Sequence, residues 1–197
     1  MEFRNYSYYC NKVVVKDIKN FVLPHIFENG QCFRWEKTEN GTYIIVAKNR
    51  IIELEKSGQD LIIHNSNIDD FENIWIDYFD LERDYDVFKN KLSGDVHLNN
   101  AIEFGHGLRI LNQDPFEMII SFIISSNNRI FMIKRAINNI SEKFGECVSY
   151  NGKNYYMFPK LEVLKNVTQD EFKNCSVGFR DKYLVNTIKM INENNNI

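Results

Sequence analysis

The hydrophobic period of this chain changes once, near residue 69, and that change limits the architectures open to it. Before it, short β-branched and aromatic runs are separated by turn signals: Tyr6–Cys10, Val13–Lys16, Cys32–Glu36, Thr42–Ala47, Ile51–Glu55 and Leu61–His64. Runs of this kind read as strands. Phe33 and Trp35 alternate with Cys32 and Arg34, which predicts one buried face. Asn40-Gly41 suits a type I′ hairpin, whose two central residues both need positive φ. After residue 69 the apolar residues recur at helical spacing. Phe71, Ile74, Trp75, Tyr78 and Phe79 share one face, with Asp69 or Asp70 placed to cap the helix. The acidic, aromatic run on to Phe88 reads as a solvated helical surface and a connection. Strands first and helices second predict an α+β fold, not an alternating α/β one. The division falls around Ser93-Gly94-Asp95. It separates an antiparallel sheet domain with flanking helices, 1–98, from an α-helical domain, 99–197.

The helical half carries the segment that points most strongly to function. Asp114-Pro115-Phe116-Glu117 is a complete helix start: Asp caps, Pro takes the first helical position and Glu completes a capping box. The apolar helix that follows is broken by four small polar residues, Ser125 to Asn128. A second amphipathic pattern then places Ile130, Ile133, Ile137, Ile140 and Phe144 at helical spacing, with Gly145 as the stop. Four uncharged hydrogen-bonding side chains between two core helices are costly as filler and useful as a tool. Thr168 and Glu171 repeat the capping spacing before a shorter helix. The final helix, Arg180 to about Asn194, is predicted to bury Tyr183, Leu184, Ile188 and Ile191.

Composition excludes several classes. With 44% apolar and 14% aromatic residues, the 197-residue chain can build one large core or two small ones and is not intrinsically disordered. It has neither an apolar run of about eighteen residues nor a signal-peptide core, which predicts a soluble, intracellular protein with no membrane partner. The cysteines, at 10, 32, 147 and 175, form no CxxC pair, and the histidines, at 25, 64, 97 and 106, lie near none of them in ligand spacing. No metal site is expected, and the cysteines read as small buried hydrophobes in a reducing compartment. The net charge of −3 argues weakly against nucleic acid, but it is unevenly spread. Residues 1–95 carry 12 Lys+Arg against 17 Asp+Glu, net −5, whereas 96–197 carry 12 against 10, net +2. That asymmetry permits DNA binding by the second half. No phosphate loop, Ser-His-Asp order or paired metal ligands can be assembled, and no cofactor is implied. Three separated clusters remain: Gly30-Gln31-Cys32-Phe33-Arg34-Trp35 at a turn entering a strand, Ser125-Ser126-Asn127-Asn128, and Val177-Gly178-Phe179-Arg180 before a helix.

Those clusters, with Asn112-Gln-Asp-Pro115 and Ser121-Phe-Ile123, resemble the 8-oxoguanine DNA glycosylases of the helix-hairpin-helix superfamily in order and approximate spacing across nearly the whole chain. Each motif alone is weak; four in order are specific. The resemblance implies a TATA-binding-protein-like sheet domain followed by the first part of the glycosylase domain. It also implies duplex DNA containing 8-oxoguanine as partner, and an enzyme that flips the lesion out, cuts its glycosidic bond and nicks the strand. An intracellular, and in a prokaryote nucleoid-associated, location follows. Gly30 would supply a carbonyl that accepts from the lesion's N7–H and repels the N7 lone pair of guanine. A helix C-cap glycine after Phe27-Glu28-Asn29 is an equally good reading of the same residue, and both can hold. Asn127 would fill the vacated space, Phe179 would wedge beside the orphaned base, and Arg180 would donate to a cytosine. Read without the resemblance, Asn127 is a helix-end cap, Phe179 a core aromatic and Arg180 a solvated first-turn residue.

Two departures from the family pattern are informative. Met132 stands where the family has a second arginine reaching the orphaned cytosine, and Phe179 replaces a tyrosine; a lost directional base contact is worth about 1–3 kcal/mol. Relaxed preference for the base opposite the lesion is expected. The family's hairpin, its nucleophilic lysine, a later aspartate and the base-clamping glutamine and phenylalanine all follow the helix matching 180–194. On this reading the chain is the N-terminal portion of the enzyme, carries no catalytic residue, and neither excises nor nicks alone. Lys182 and Lys189 read as solvated residues of an amphipathic helix. A helical domain ending before its closing helices should expose apolar surface and associate through it. The alternative, from a different class, is a non-catalytic damaged-DNA-binding module.

Overall fold

The computed structural model describes residues 2–194. They form two compact units, residues up to 45 with 52–112, and 46–51 with those from 113 on.

A six-stranded sheet is built from strands β1 (Asn5–Tyr9), β2 (Lys12–Lys16), β3 (Trp35–Lys37), β4 (Tyr43–Ala47), β5 (Arg50–Ser57) and β6 (Asp60–His64). Their order in the sheet is β1-β2-β6-β5-β4-β3. The register is antiparallel, setting Tyr6 opposite Val15, Val13 opposite Ile63, Leu54 opposite Ile63 and Trp35 opposite Ile45. Val13, Val15, Ile52, Leu54, Leu61 and Ile63 are fully buried, so the period of two resolves into one core face. The α+β expectation holds. The third strand begins at Trp35, not Cys32, and the Cys32 carbonyl accepts the Trp35 indole N–H at 3.1 Å.

The turns correct one expectation. Asn40-Gly41 is not a type I′ turn: Gly41 alone has positive φ, +80°. Gly41 N–H donates to Thr38, and Thr38 N–H to Thr42, which is the arrangement of a turn followed by a left-handed glycine. Both central φ values are positive instead at Cys10-Asn11 (47°, 59°), between β1 and β2, and at Lys48-Asn49 (50°, 56°), between β4 and β5.

Helix α1 (Leu23–Phe27) precedes β3. After β6 come α2 (Ile68–Asp70), a π-helical turn (Phe71–Trp75) and α3 (Ile76–Tyr78). Asn67 is the cap, its side chain accepting from Asp70 N–H at 2.8 Å, so neither Asp69 nor Asp70 takes that role. Phe71, Trp75 and Phe79 are fully buried, with Phe71 4.8 Å from Tyr6 and Trp75 stacked on Phe79 at 5.8 Å between ring centroids. Each such side chain contributes about 1.5–3 kcal/mol by burial. Helices α4 (Tyr85–Leu92) and α5 (Val96–Phe104) start on Asp84 and Asp95 and bury no residue. Residues 99–112 belong to the first unit, and Arg109 shows why. It is fully buried beneath Tyr85 (4.3 Å to the ring), donating from Nε to Phe79 O at 2.8 Å and from Nη2 to Asp80 O, and lying 3.7 Å from the buried Glu2 carboxylate.

The second unit contains α6 (Pro115–Ser125), α7 (Ile130–Phe144), β7 (Cys147–Tyr150), β8 (Lys153–Tyr156), α8 (Leu161–Leu164), α9 (Gln169–Lys173), a 3-10 turn (Gly178–Arg180) and α10 (Asp181–Asn194). Asp114 caps α6 by accepting from Glu117 N–H at 2.9 Å, and Thr168 and Glu171 form the reciprocal capping box of α9. Ile120, Ile124, Ile133, Ile137, Ile140, Leu184 and Ile188 make the core between α6, α7 and α10. Tyr183 is 49% exposed, against expectation, because it lies to one side of the Leu184–Ile188–Ile191 stripe. Ile130 of α7 is exposed for a related reason, standing at the helix start before the buried stripe begins. The β7–β8 hairpin was not anticipated, although Asn151-Gly152 (φ 49° and 76°) carries the type I′ signal.

Candidate nucleic-acid interface

The end of α6 builds a pointed loop. Ser126 is the helix C-cap, and Asn128 N–H donates to Ser125 O at 3.2 Å, closing a tight turn. Asn127 at its apex takes the left-handed conformation, φ +49°, which a short polar side chain tolerates better than a bulky one. Asn128 is committed at both ends, its Nδ2 donating to Ile124 O at 3.0 Å and its Oδ1 accepting from Arg129 N–H at 2.9 Å. Ser125 Oγ donates to Phe122 O at 2.8 Å. Asn127 is exposed, and its amide has no hydrogen-bond partner among the described residues. Of the four polar residues, two therefore hold the loop and one presents a free side chain at its tip.

A second turn lies against this loop. Val177 is fully buried, Gly178 has φ +63°, and Phe179 projects outward, 62% exposed. Arg180 turns the other way and is 6% exposed. Its Nε and Nη2 donate to Ser126 O at 3.1 and 2.5 Å, Nη2 also to Asn127 O at 3.1 Å, and Nη1 to Val177 O at 3.2 Å. The guanidinium carbon sits 4.4 Å from the Phe179 ring centroid, a cation–π contact. One side chain thus ties the Asn127 loop to the turn that presents Phe179. Next to it, Asp181 accepts from Gln169 Nε2 at 3.1 Å and from Lys182 N–H at 2.8 Å; these bonds hold its carboxyl below the usual range.

Beside the loop, an open hollow of about 450 Å³ is lined by Asn127, Asn128, Arg129 and Met132. Of the five residues singled out by sequence, four, Asn127, Met132, Phe179 and Arg180, are connected through this hollow and the Arg180 bonds. The expected outward donation by Arg180 is not what its geometry displays, since most of its hydrogens are on backbone carbonyls. Arg129 lines the hollow and was missed; a basic residue directly after Ser-Ser-Asn-Asn was the available signal. Lys182 and Lys189 are exposed, with Lys182 Nζ 5.1 Å from the Tyr183 ring centroid and Lys189 Nζ 3.9 Å from Glu193.

The fifth residue, Gly30, lies in the sheet unit. It has φ +87°, and open space surrounds the position a Cβ would occupy, so conformation and not crowding selects glycine there. It stands two residues past Glu28, the C-cap of α1. Its neighbours on both sides are fixed. Asn29 donates to His25 O at 2.8 Å and accepts from Gln31 N–H at 2.9 Å. Gln31 donates to Ile26 O and Arg109 O, both at 2.8 Å, and accepts from Leu111 N–H at 3.0 Å. No group among the described residues donates to the Gly30 carbonyl.

Among the described residues no group of three or more His, Cys, Asp and Glu side chains could hold a metal, and no helix is long and apolar enough to cross a membrane. None of the four cysteines is in a disulfide. Cys10 and Cys147 are exposed, so only Cys32 and Cys175 fit the expectation of buried hydrophobes; the other two sit at a tight turn and in a surface hairpin.

Comparison with known proteins agrees with these features. Residues 13–119 match the family described as 8-oxoguanine DNA glycosylase, N-terminal domain. The chain is 30% identical over 181 residues to N-glycosylase/DNA lyase OGG1 of Arabidopsis thaliana, covering 86% of this chain and 48% of that protein. It is 29% identical over 212 residues to an N-glycosylase/DNA lyase of Saccharomyces cerevisiae, covering 95% of this chain and 54% of that protein. The chain therefore spans about half the length of these two relatives. The fold is similar to the crystal structure of Clostridium acetobutylicum 8-oxoguanine glycosylase/lyase in complex with double-stranded DNA containing cytosine opposite 8-oxoG. The TM-score is 0.98 at 47% identity, over 100% of this chain and 68% of that one. With just over half of its residues under the family's own description, the chain belongs to the 8-oxoguanine DNA glycosylase family and carries its N-terminal domain.

Proposed function

We propose that the protein acts in base excision repair, recognising 8-oxoguanine in duplex DNA, excising it and cleaving the strand at the resulting abasic site, inside the cell on chromosomal DNA. The 197-residue chain supplies recognition of the lesion and of its orphaned partner. We further propose functional divisions at 1–98 and 99–197, and no nucleophile within the chain.

The observation that carries this reading is the Arg180 guanidinium. It makes the left-handed Asn127 loop and the exposed Phe179 turn a single rigid projection. A duplex that loses one nucleotide from its stack gives up a few kcal/mol in unstacking and unpairing. A polar amide and an aromatic ring, held in place beforehand, offset that cost without being ordered during binding. Asn127 fills the space, Phe179 stacks beside the orphaned base, and the remaining Nη1 hydrogen of Arg180 is left for a cytosine acceptor. Met132 offers that base no donor, which supports a relaxed partner preference. On the lesion side, a Gly30 carbonyl with no internal donor suits the N7–H of 8-oxoguanine and repels the lone pair of guanine. Its fixed neighbours, Asn29 and Gln31, keep it in place.

The test uses an 8-oxoguanine:cytosine duplex in binding, excision and borohydride-trapping assays. It compares this chain alone with the chain joined to a helix-hairpin-helix segment bearing the family's lysine. Both should bind the lesion duplex over an undamaged one, and only the joined protein should excise and trap. Absence of lesion preference in both proteins overturns the reading. Covalent capture by the chain alone overturns the statement that it holds no nucleophile.

A further inference from the structure

We infer that Arg129 is a second residue that reads the orphaned base in this protein, beside Arg180, doing so from the hollow where Met132 provides no donor. The inference rests on the proposed lesion-flipping function and deepens it. The hollow is lined by Asn127, Asn128, Arg129 and Met132. A directional contact to a base edge needs a donor or acceptor not already engaged. Asn128 is engaged at both ends of its amide. Met132 has a thioether, a weak acceptor and no donor. Arg180 is buried, with its Nε and Nη2 hydrogens on the Ser126 and Asn127 carbonyls and one Nη1 hydrogen on Val177, which leaves a single hydrogen for a base that presents two adjacent acceptors. Asn127 belongs to the vacated position.

Arg129 differs from all of these. It is exposed, and no group among the described residues pairs with its guanidinium. Its backbone is fixed on both sides: its N–H donates to Asn128 Oδ1 at 2.9 Å, and its carbonyl accepts from Ile133 N–H at 3.0 Å. A planar fork with five donors, on an anchored backbone at the rim of the hollow, matches the adjacent acceptors of cytosine O2 and N3. The base-reading donor is thus displaced by three positions along the chain, from 132 to 129, and not lost. The preference that remains is weaker because Arg129 reaches in from an open surface, where water competes for the same acceptors.

The test is a panel of four lesion duplexes differing in the base opposite 8-oxoguanine, bound by the native chain, Arg129→Met and Arg129→Lys at two salt concentrations. Arg129→Met should lower affinity for the cytosine duplex about tenfold and leave the adenine duplex nearly unchanged, flattening the panel. Arg129→Lys, a point donor, should retain part of the difference. Unfolding midpoints should match the native chain, since the side chain is exposed. A uniform loss across all four duplexes, with a salt slope lower by about 1, overturns the inference in favour of a phosphate contact. An unchanged panel overturns it outright. If the native chain shows no preference for lesion over undamaged duplex, the functional reading itself fails, which is a separate outcome.

Discussion

Replacing Arg180 by methionine removes the side chain that ties the Asn127 loop to the Phe179 turn while keeping the apolar stem. The guanidinium donates to three carbonyls, those of Ser126, Asn127 and Val177. A hydrogen bond to a charged group contributes about 1.5–3 kcal/mol, but the Ser126 and Asn127 carbonyls lie in an exposed loop where water replaces much of what is lost. The Val177 bond is more deeply buried, and the Phe179 contact adds about 0.5–1 kcal/mol. The net destabilisation should be about 2–4 kcal/mol. For a chain of this size that lowers Tm by about 4–16 °C. Thermal and urea unfolding followed by circular dichroism measure it, with an unchanged m-value showing that compactness is preserved. Arg180→Lys should recover less than half, because an ammonium cannot span both loop carbonyls. Phe179→Ala should cost under about 1 kcal/mol, since most of the ring is already in water. A loss below about 1 kcal/mol for Arg180→Met refutes the idea that this guanidinium builds the projection.

Three other outcomes are expected. Asn127→Ala should lose both DNA affinity and about 1 kcal/mol of stability, because left-handed backbone at φ +49° is populated more readily by asparagine than by alanine. Asn127→Gly should lose the affinity alone, and equal stability of the two variants would sink the argument. Met132→Arg should sharpen discrimination for cytosine opposite the lesion by about 1–3 kcal/mol in partner-base binding panels; an unaltered panel contradicts the assigned position of Met132. His25 Nδ1 accepts from Gly107 N–H at 3.2 Å, and burial, with His106 nearby, holds its pKa below the ordinary histidine value. Protonation removes the acceptor. With the folded value below the unfolded one of about 6.5, this contribution is full above that pH and is lost as pH falls through the folded value. Tm measured across that window should decline, and His25→Phe should flatten the decline; an identical slope in the variant refutes the assignment.

How much of this was legible in the sequence depended on whether a residue's environment was local. The capping box at Thr168–Glu171 and the stop at Gly145 need only neighbours along the chain, and both formed as read. The turns were harder. Asn40-Gly41 carried the expected type I′ pair, yet it sits in a longer turn between β3 and β4, and the same dipeptide at 151–152 was the one that formed it. Cys10-Asn11 and Lys48-Asn49 take the same conformation without glycine, forced by the strands they join. Arg109 gave no local signal, since its partners at Phe79, Asp80 and Glu2 are distant in sequence. At the interface the residue types were readable and their orientations were not. Phe179 and Arg180 are adjacent, and only the buried Val177 before them and the Asn127 loop decide that the ring faces out and the cation faces in. Gln31, noticed as part of a motif, turned out to fix the Gly30 backbone through bonds that depend on residues 109–111.

The role proposed for this surface is to compensate a duplex for a missing nucleotide, and a duplex in which the nucleotide is already missing isolates that step. Affinity should be measured for a duplex carrying a stable abasic analogue and for its intact counterpart, with the native chain and with Asn127→Gly/Phe179→Ala. The native chain should bind the abasic duplex more tightly, and the double variant should lose that difference with little change on intact DNA. Equal affinity of the native chain for both duplexes, or an equal drop on both in the double variant, would contradict that role.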